Sequence, residues 1–369
     1  MSNKNYQVYF DCGSSKIRAG AFNKYNPSEC YYKDSNFFTN YKNLEYDIQE
    51  IITYLEKSTS EYLNDVSLMI DSPQMLSIGV SVSNKLDGSK LNKEDVQFLI
   101  QQAKQQILRN YKDQNIVHII IDNYKINDIE YMFLPDEIKC DLLSIDIIFI
   151  CIPKKIIDYF KNIFLKLDIS IKQILCTSYA KSLYYKENIF KTDNVSFIDV
   201  GLNKTSIIFY IKDKINFLCT IPIGGNHITK DIFKILKVSP EQAEDIKLNF
   251  DQNKSFLKKK KIPIDLVQKI ILSRTDEILE LCSKTIKLNL KYLDKFKMVL
   301  MGDGSKILDN QYKDQISFPK EIDFLEETVE DICQGGLKMG EGYNKQEVVM
   351  VPKKPIKQGF FEKLFHFFR

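Results

Sequence analysis

Tryptophan is absent from this chain of 369 residues, and histidine occurs only three times. The eight cysteines include no Cys-x-x-Cys pair, so the usual spacing of zinc ligands is missing. Cysteines without such spacing are typical of reduced thiols in a cytosolic protein. Long apolar runs are also missing, because segments such as IDIIFICI (145–152) have only the length of a strand. The N-terminus shows no signal-peptide pattern, so we expect any membrane contact to be peripheral.

An excess of charge of one sign is lacking too. The 52 basic and 49 acidic side chains leave a net charge of +3, which argues against nucleic-acid binding. The apolar residues make up 44% of the chain, enough for a sizeable core. The length predicts two or three domains or one large bilobed body.

The chain does contain an unusually apolar end, GFFEKLFHFFR (359–369). On a helix, its apolar side chains fall within an arc of about 160°. These side chains are Phe360, Phe361, Leu364, Phe365, Phe367 and Phe368. The basic segment KKPIKQG (353–359) precedes them and has the composition of a flexible joint. The pattern predicts either a terminal helix packed on the body or an amphipathic helix in a membrane interface.

Two segments share one plan. FDCGSSKIRAGAF (10–22) and IDVGLNKTSIIFY (198–210) each have an apolar strand, Asp-x-Gly, a polar turn with Lys, and a second apolar strand. Their separation has the length of a domain, as expected for a duplicated domain.

Such turns have a chemical use. Backbone N–H groups in a tight turn can converge on a phosphate, and glycine permits the close approach. An aspartate at the strand end can hold Mg²⁺ through water. Together with a third turn, GDGS (302–305), the two copies predict an ATP site between two related lobes. The alternative is that they are ordinary β-hairpins of a large α/β protein.

The layout resembles the actin-like ATPase superfamily, and within it the FtsA family of bacterial cell-division actins. The most specific resemblance lies in CTIPIGGNHITKDIFKIL (219–236), followed by SPEQAEDIKLNF (239–250). The resemblance implies an α/β, actin-like bilobed fold with two related ATPase-type subdomains. It also implies an FtsA-type 1C subdomain and a C-terminal amphipathic helix.

The implied division of the chain is as follows. Subdomain 1A comprises 1–82 and 147–192, 1C comprises 83–146, 2A comprises 193–223 and 296–345, and 2B comprises 224–295. A linker (346–358) then leads to the membrane-targeting helix (359–369).

The resemblance also implies the site residues. Asp11 and Asp199 would face Mg²⁺, through water. The nucleotide-binding residues would be Asp11, Gly13, Ser14, Ser15, Lys16, Asp199, Gly201, Lys204, Thr205, Gly224, Gly225, Asn226, Glu244, Lys247, Gly302, Gly304 and Ser305. Glu244 and Lys247 lie three residues apart on one helical face and would flank the ribose and base.

Departures from the family pattern bear on catalysis. Leu202, Asn203 and Lys204 replace two glycines and a threonine of the second phosphate loop, and Lys204 could supply charge to a phosphate. Asp303 stands where the adenosine loop usually has glycine. No residue is indicated as a catalytic base, so we expect at most a weak ATPase.

The function implied is an ATP-binding adaptor that polymerises on the cytoplasmic face of the inner membrane at the division site. It would tether polymers of FtsZ, the tubulin homologue, by binding their C-terminal peptide, and would help assemble later divisome proteins. Arg274 and Lys284 on the long helix are the candidate contacts of that partly acidic peptide. The alternatives are a pilus-assembly actin homologue and a small-molecule kinase of the same superfamily.

Overall fold

The structure is a computed structural model that describes residues 5–26, 28–36, 44–135, 138–250, 254–290, 295–308 and 322–342. The strands are β1 (Tyr6–Cys12), β2 (Lys16–Asn23), β3 (Cys30–Asn36), β4 (Asp65–Ile70), β5 (Leu76–Lys90), β6 (Gln114–Ile126), β7 (Ile129–Tyr131), β8 (Lys139–Pro153), β9 (Ser170–Cys176), β10 (Asn194–Val200), β11 (Thr205–Ile211), β12 (Lys214–Ile221), β13 (Lys297–Met301) and β14 (Ile322–Phe324). The helices are α1 (Leu44–Thr59), α2 (Lys93–Asn110), α3 (Lys154–Lys166), α4 (Thr177–Asn188), α5 (Gly225–Leu236), α6 (Pro240–Leu248), α7 (Lys254–Lys259), α8 (Ile264–Asn289) and α9 (Val329–Gly340), with a 3-10 helix at Asp303–Leu308. The predicted linker (346–358) and amphipathic helix (359–369) lie outside the described residues.

Two of the sheets have the same topology. Their strand orders are β3-β2-β1-β4-β9 and β12-β11-β10-β13-β14. In each, an antiparallel three-stranded meander continues into two parallel strands. We call the first sheet with its helices the first lobe, and the second sheet with α5 to α8 the second lobe. The prediction of two related subdomains is confirmed.

The duplication extends to register. Asp11 lies opposite Arg18 on β2 and beside Met69 on the parallel strand β4. Asp199 lies opposite Ser206 and beside Met301 in the same way. Because the two strands end alike, the two aspartates reach equivalent sheet edges.

The second sheet is covered on both faces, which explains its nearly continuous apolar strands. Val195 and Phe197 pack into the large core shared with the first lobe. Ile198 and Val200, on the opposite face, pack into the core that contains the apolar side of α8.

The third sheet, ordered β5-β8-β6-β7, is antiparallel and carries α2 on one face. The sequence LNKEDVQFLIQQAKQQIL (91–108) has a helical period with Asn92 as its candidate N-cap, and the structure confirms this start, because Asn92 and Asp95 form a reciprocal capping box. The sheet contains the segment assigned to subdomain 1C but extends beyond both of its ends, since β5 begins at Leu76 and β8 ends at Pro153.

Helix α4 lies between the lobes and packs against α9. Its Tyr179 and Tyr185 are fully buried. The sequence placed α9 within subdomain 2A, whereas the helix packs on β1, β2, β3 and α4 of the first lobe. Small residues permit this, because Gly335 lies directly against the backbone of Ala180.

Taken as sequence alone, the basic stretch LKKKKIPIDL (257–266) predicts an exposed hairpin or loop. Instead it joins two helices: α7 ends at Lys259, and α8 begins at Ile264. Leu257 explains the difference, because its side chain is fully buried against α8 and fixes the helical turn before the lysines.

Candidate nucleotide site

The two predicted phosphate turns have one geometry. Gly13 N donates to Lys16 O at 3.0 Å, and Gly201 N donates to Lys204 O at 2.9 Å. Both turns border the cleft between the lobes, and Ser14 and Ser15 of the first turn line that cleft.

The third loop completes the cleft. Gly302 has a φ of 91°, a left-handed conformation that favours glycine. Gly304 lies against the end of β10, where a β carbon would be 2.7 Å from Val200 O. Ser305 Oγ donates to Gly302 O at 2.7 Å and closes the turn. The three loops therefore meet at the sheet edge that carries Asp199.

The start of α5 packs on the second turn. Gly225 N donates to Gly201 O at 2.9 Å, and Asn226 N donates to Leu202 O at 2.7 Å. At Gly224, a β carbon would lie 2.8 Å from Leu202 O, so a side chain would push the helix away from the turn. Thr205 holds the same region, because its hydroxyl donates to Ile223 O at 2.7 Å.

A cavity of about 470 Å³ lies beside these turns, in the size range of small-molecule sites. It is lined by Ser14, Leu202, Asn203, Asn226, Thr229, Pro240, Glu241, Glu244, Asp245, Leu248 and Asn249. Lys247 supports its wall, because Nζ contacts Glu244 Oε2 at 2.6 Å and Thr229 Oγ1 at 2.9 Å. Burial lowers the pKa of Lys247, and the negative charge of Glu244, which acts to raise that pKa, offsets the effect only in part.

The cleft itself is narrow, with a cavity of about 80 Å³. Of the predicted residues it brings together Asp11, Gly13, Ser14, Ser15, Asp199, Gly201, Lys204 and Gly302. It adds charged residues that the sequence did not single out as ligands: Arg18, Asp71, Lys181, Asp303 and Glu327. Sequence signals existed for Arg18, which faces Asp11 across the hairpin, and for Asp303, which departs from the family pattern of the third loop.

The aspartate of the first lobe is surrounded by donors. Arg18 Nη1 and Thr177 Oγ1 each lie 2.9 Å from an Asp11 carboxylate oxygen. Burial raises the pKa of Asp11, and the opposing charges of Arg18 and Lys181 do not fully offset it.

Asp199 of the second lobe pairs with a buried lysine. Lys181 Nζ lies 3.0 Å from Asp199 Oδ1 and 3.1 Å from Glu327 Oε2. Burial works to lower the pKa of Lys181, but these two carboxylates overcome it and raise the pKa, so the ammonium is charged.

Two ion pairs cross the cleft in opposite senses, and we call them the cross-lobe pairs. Arg18 of the first lobe pairs with Asp303 of the second. Lys204 of the second lobe lies 2.9 Å from Asp71 Oδ2 of the first. Lys204 thus lines the cleft, with its charge already directed at a carboxylate.

Lys16 contributes its backbone rather than its ammonium. Its Nζ lies 3.6 Å from Asp34 Oδ2 on β3.

Arg274 and Lys284, the candidate contacts of a partner peptide, lie on α8 and away from the cleft. Arg274 pairs with Asp231 at 2.7 Å and with Glu277, and Lys284 pairs with Glu280 at 2.8 Å on an exposed face.

The residues predicted to face Mg²⁺ do not fit a metal in their present arrangement. Three of the four carboxylate oxygens of Asp11 and Asp199 carry donors from Arg18, Thr177 and Lys181. In the described part of the chain, no cluster of three or more His, Cys, Asp or Glu residues is placed to hold a metal ion.

The predicted membrane contacts from Phe360 to Phe368 lie outside the described residues. Within those residues, no helix is both long and apolar enough to cross a bilayer.

Comparison with known proteins adds a family resemblance. The model of the family "Cell division protein FtsA" matches residues 196–294. FtsA of Buchnera aphidicola from Acyrthosiphon pisum is 24% identical over 350 residues, covering 83% of this chain and 82% of the relative. FtsA of Agrobacterium fabrum is 22% identical over 283 residues, covering 72% of this chain and 63% of the relative.

Solved structures agree on the fold. A PilM-PilN type IV pilus biogenesis complex superposes with a TM-score of 0.61 at 10% identity, covering 87% of this chain and 88% of that one. The ethanolamine utilization protein EutJ from Carboxydothermus hydrogenoformans gives a TM-score of 0.51 at 11% identity, covering 90% and 89%. The predicted resemblance is confirmed: the chain has an actin-like fold, and over most of its length its sequence is similar to the FtsA cell-division proteins.

Proposed function

We propose that the chain is an ATP-binding, FtsA-type actin-like cell-division protein. The observation that carries the proposal is the convergence of two duplicated turns and a third loop beside a cavity of about 470 Å³. The cavity meets the cleft at Ser14, Leu202 and Asn203, which line both. A nucleoside in the cavity would therefore direct its phosphates toward the two turns.

Titration of the full chain with a fluorescent ATP analogue tests this proposal. We expect saturable binding, with affinity lowered about tenfold or more by Asn203→Trp, which fills the junction of cavity and cleft. Asn188→Trp, at the exposed end of α4, is the matched control and should bind as the wild type does. Absence of binding at high micromolar concentration would refute the ATP site.

We also propose that the C-terminal segment anchors the protein to the membrane surface and that bound chains polymerise there. Half-burial of its six apolar side chains contributes about 6 kcal/mol. Ordering the segment into a helix costs a free energy of the same order, so one tail binds weakly. Several tails on one filament act together through their effective concentration.

Co-sedimentation with anionic liposomes tests the anchor. Phe365→Glu should release the protein while leaving nucleotide binding intact, because a charge then lies on the apolar arc. His366→Glu places the same charge on the polar arc and should remain bound. If Phe365→Glu still co-sediments, the anchor lies elsewhere.

The proposed partner is the C-terminal peptide of FtsZ, bound on the second lobe, with later divisome proteins assembling on the filament. Arg274 and Lys284 stay candidate contacts, and their existing partners on α5 and α8 would have to yield to the peptide. The pilus-assembly alternative rests on fold likeness alone, whereas the sequence similarity favours the cell-division role.

A further inference from the structure

Three cations line the cleft where the phosphates of a bound nucleotide would lie. Arg18, Lys181 and Lys204 converge there from β2, α4 and the second turn. All three are nearly buried, with relative exposures of 9%, 5% and 9%. Buried cations are costly unless they are paired, and each of these is paired with at least one carboxylate.

Lys181 occupies a position suited to a bridging cation. Its ammonium contacts Asp199 at one side and Glu327 at the other, and Glu327 Oε2 also accepts the N–H of Gly302 at 2.8 Å. One charged nitrogen thus connects the end of β10, the third loop and α4. The same carboxylate of Asp199 would otherwise be the group that faces a hydrated divalent ion.

Arg18 is the corresponding bridging cation at the aspartate of the first lobe. Its guanidinium bridges Asp11 and Asp303, one nitrogen on each. A guanidinium presents its donors as a planar fork that matches carboxylate and phosphate oxygens equally, so it can exchange one for the other. An ammonium has three N–H donors. Lys181 directs two of them at carboxylates, and the residue also lines the cleft.

We propose that Arg18 and Lys181 take the place of the divalent cation, so that this chain binds nucleotide phosphates without Mg²⁺. The inference rests on the proposed ATP site and adds the means by which its phosphate charge is neutralised. Lys204 supplies the third positive charge from the opposite lobe, at a position where the family pattern has a neutral threonine. The phosphates would share these cations with Asp303, Glu327 and Asp71 rather than recruit an ion from solution.

The test is titration of the full chain with a fluorescent ATP analogue in Mg²⁺ and, separately, in EDTA. We expect the two dissociation constants to agree within about threefold. Lys181→Met should weaken binding in EDTA by about tenfold or more, because a charged hydrogen bond is lost. Mg²⁺ should restore part of that loss, because Asp199 and Glu327 are then free to face the ion.

Lys186→Met is the matched control. Lys186 lies on the same helix with the same 5% exposure and pairs with Asp213 at 3.2 Å, outside the cleft. Its variant should bind equally in both buffers. Lys181→Arg keeps the charge, so it should retain binding in EDTA even if Lys181→Met is poorly folded.

The outcomes separate the two proposals. Wild-type binding that disappears in EDTA and returns with Mg²⁺ overturns the cation replacement and leaves the ATP site standing. Equal weakening by Lys181→Met in both buffers overturns it as well. Absence of binding in either buffer overturns the ATP site, and this proposal with it.

Discussion

At the scale of single residues, Lys247 is the support of the larger cavity. Its side chain is 4% exposed, and it holds Glu244, Thr229 and the carbonyl of Gly225 together. We predict that Lys247→Met lowers the affinity for a labelled ATP analogue about tenfold, because Glu244 and the start of α5 lose their common anchor. It should also lower the free energy of unfolding by about 3 kcal/mol, since Glu244 loses its partner.

Lys230→Met, on the exposed face of α5, is the control for removing a lysine charge. Lys247→Arg should recover most of the affinity, because it restores the charge against Glu244. Unchanged affinity in Lys247→Met, at unchanged stability, would show that the residue does not shape the cavity.

Sequence alone indicated the residues whose role follows from a local pattern. Asp11 and Asp199 were found because strand, aspartate and turn are consecutive, and they reach the cleft. Lys181 and Glu327 were missed, because their positions depend on how α4 and the segment before α9 pack between the lobes. Lys16 was assigned to the phosphates by motif, yet its side chain follows the strand pleat toward Asp34.

At the scale of elements, α9 depends on glycine where it crosses α4. A β carbon at Gly335 would lie 2.8 Å from Ala180 O, a backbone atom that cannot rotate away. We predict that Gly335→Val lowers the free energy of unfolding by about 2–3 kcal/mol, because the two helices must separate. Urea denaturation of the purified variant measures this difference.

Gly79→Val makes the same substitution on β5, where no atom lies within 4 Å of the added β carbon. Valine favours strands, so the control should be neutral or slightly stabilising. A Gly335→Val protein as stable as the control would mean that the helices adjust without cost.

Elements with complete local signals were predictable. Asn92 before α2 and Ser239 before α6, the latter followed by proline, are capping signals visible in the sequence, and the structure confirms both as N-caps. The basic stretch before α8 was mispredicted, because burial of Leu257, a tertiary contact, decides its conformation. The packing of α9 on the first lobe could not be predicted for the same reason, since chain order places this helix directly after β14 of the second lobe.

At the scale of the whole molecule, the duplication places two similar sheets beside one cleft, and the cross-lobe pairs join the two lobes across it. The duplication was predictable, because both copies repeat one pattern of strand, Asp-x-Gly and turn. The pairs were not, since Arg18 and Lys204 take partners from loops far away in sequence. The cleft therefore depends on contacts that neither copy encodes by itself.

The pair between Lys204 and Asp71 gives that connection a dependence on pH. Burial works to raise the pKa of Asp71, but the Lys204 ammonium overcomes it and holds the pKa below its ordinary value. A carboxyl whose pKa is lower in the folded state adds stability above its unfolded pKa, about 3.9, and that stability is lost as pH falls through the folded pKa.

Asp71→Asn should thus lower the free energy of unfolding by about 3 kcal/mol at pH 7, because the buried Lys204 loses the negative charge that it pairs with. Urea denaturation at successive pH values should show this difference shrinking below about pH 4. Glu45→Gln, which breaks the exposed pair with Lys166, should cost less than about 1 kcal/mol at any pH. A deficit in Asp71→Asn that is as small as in Glu45→Gln would show that the lobes are held together by the α4 core rather than by charge.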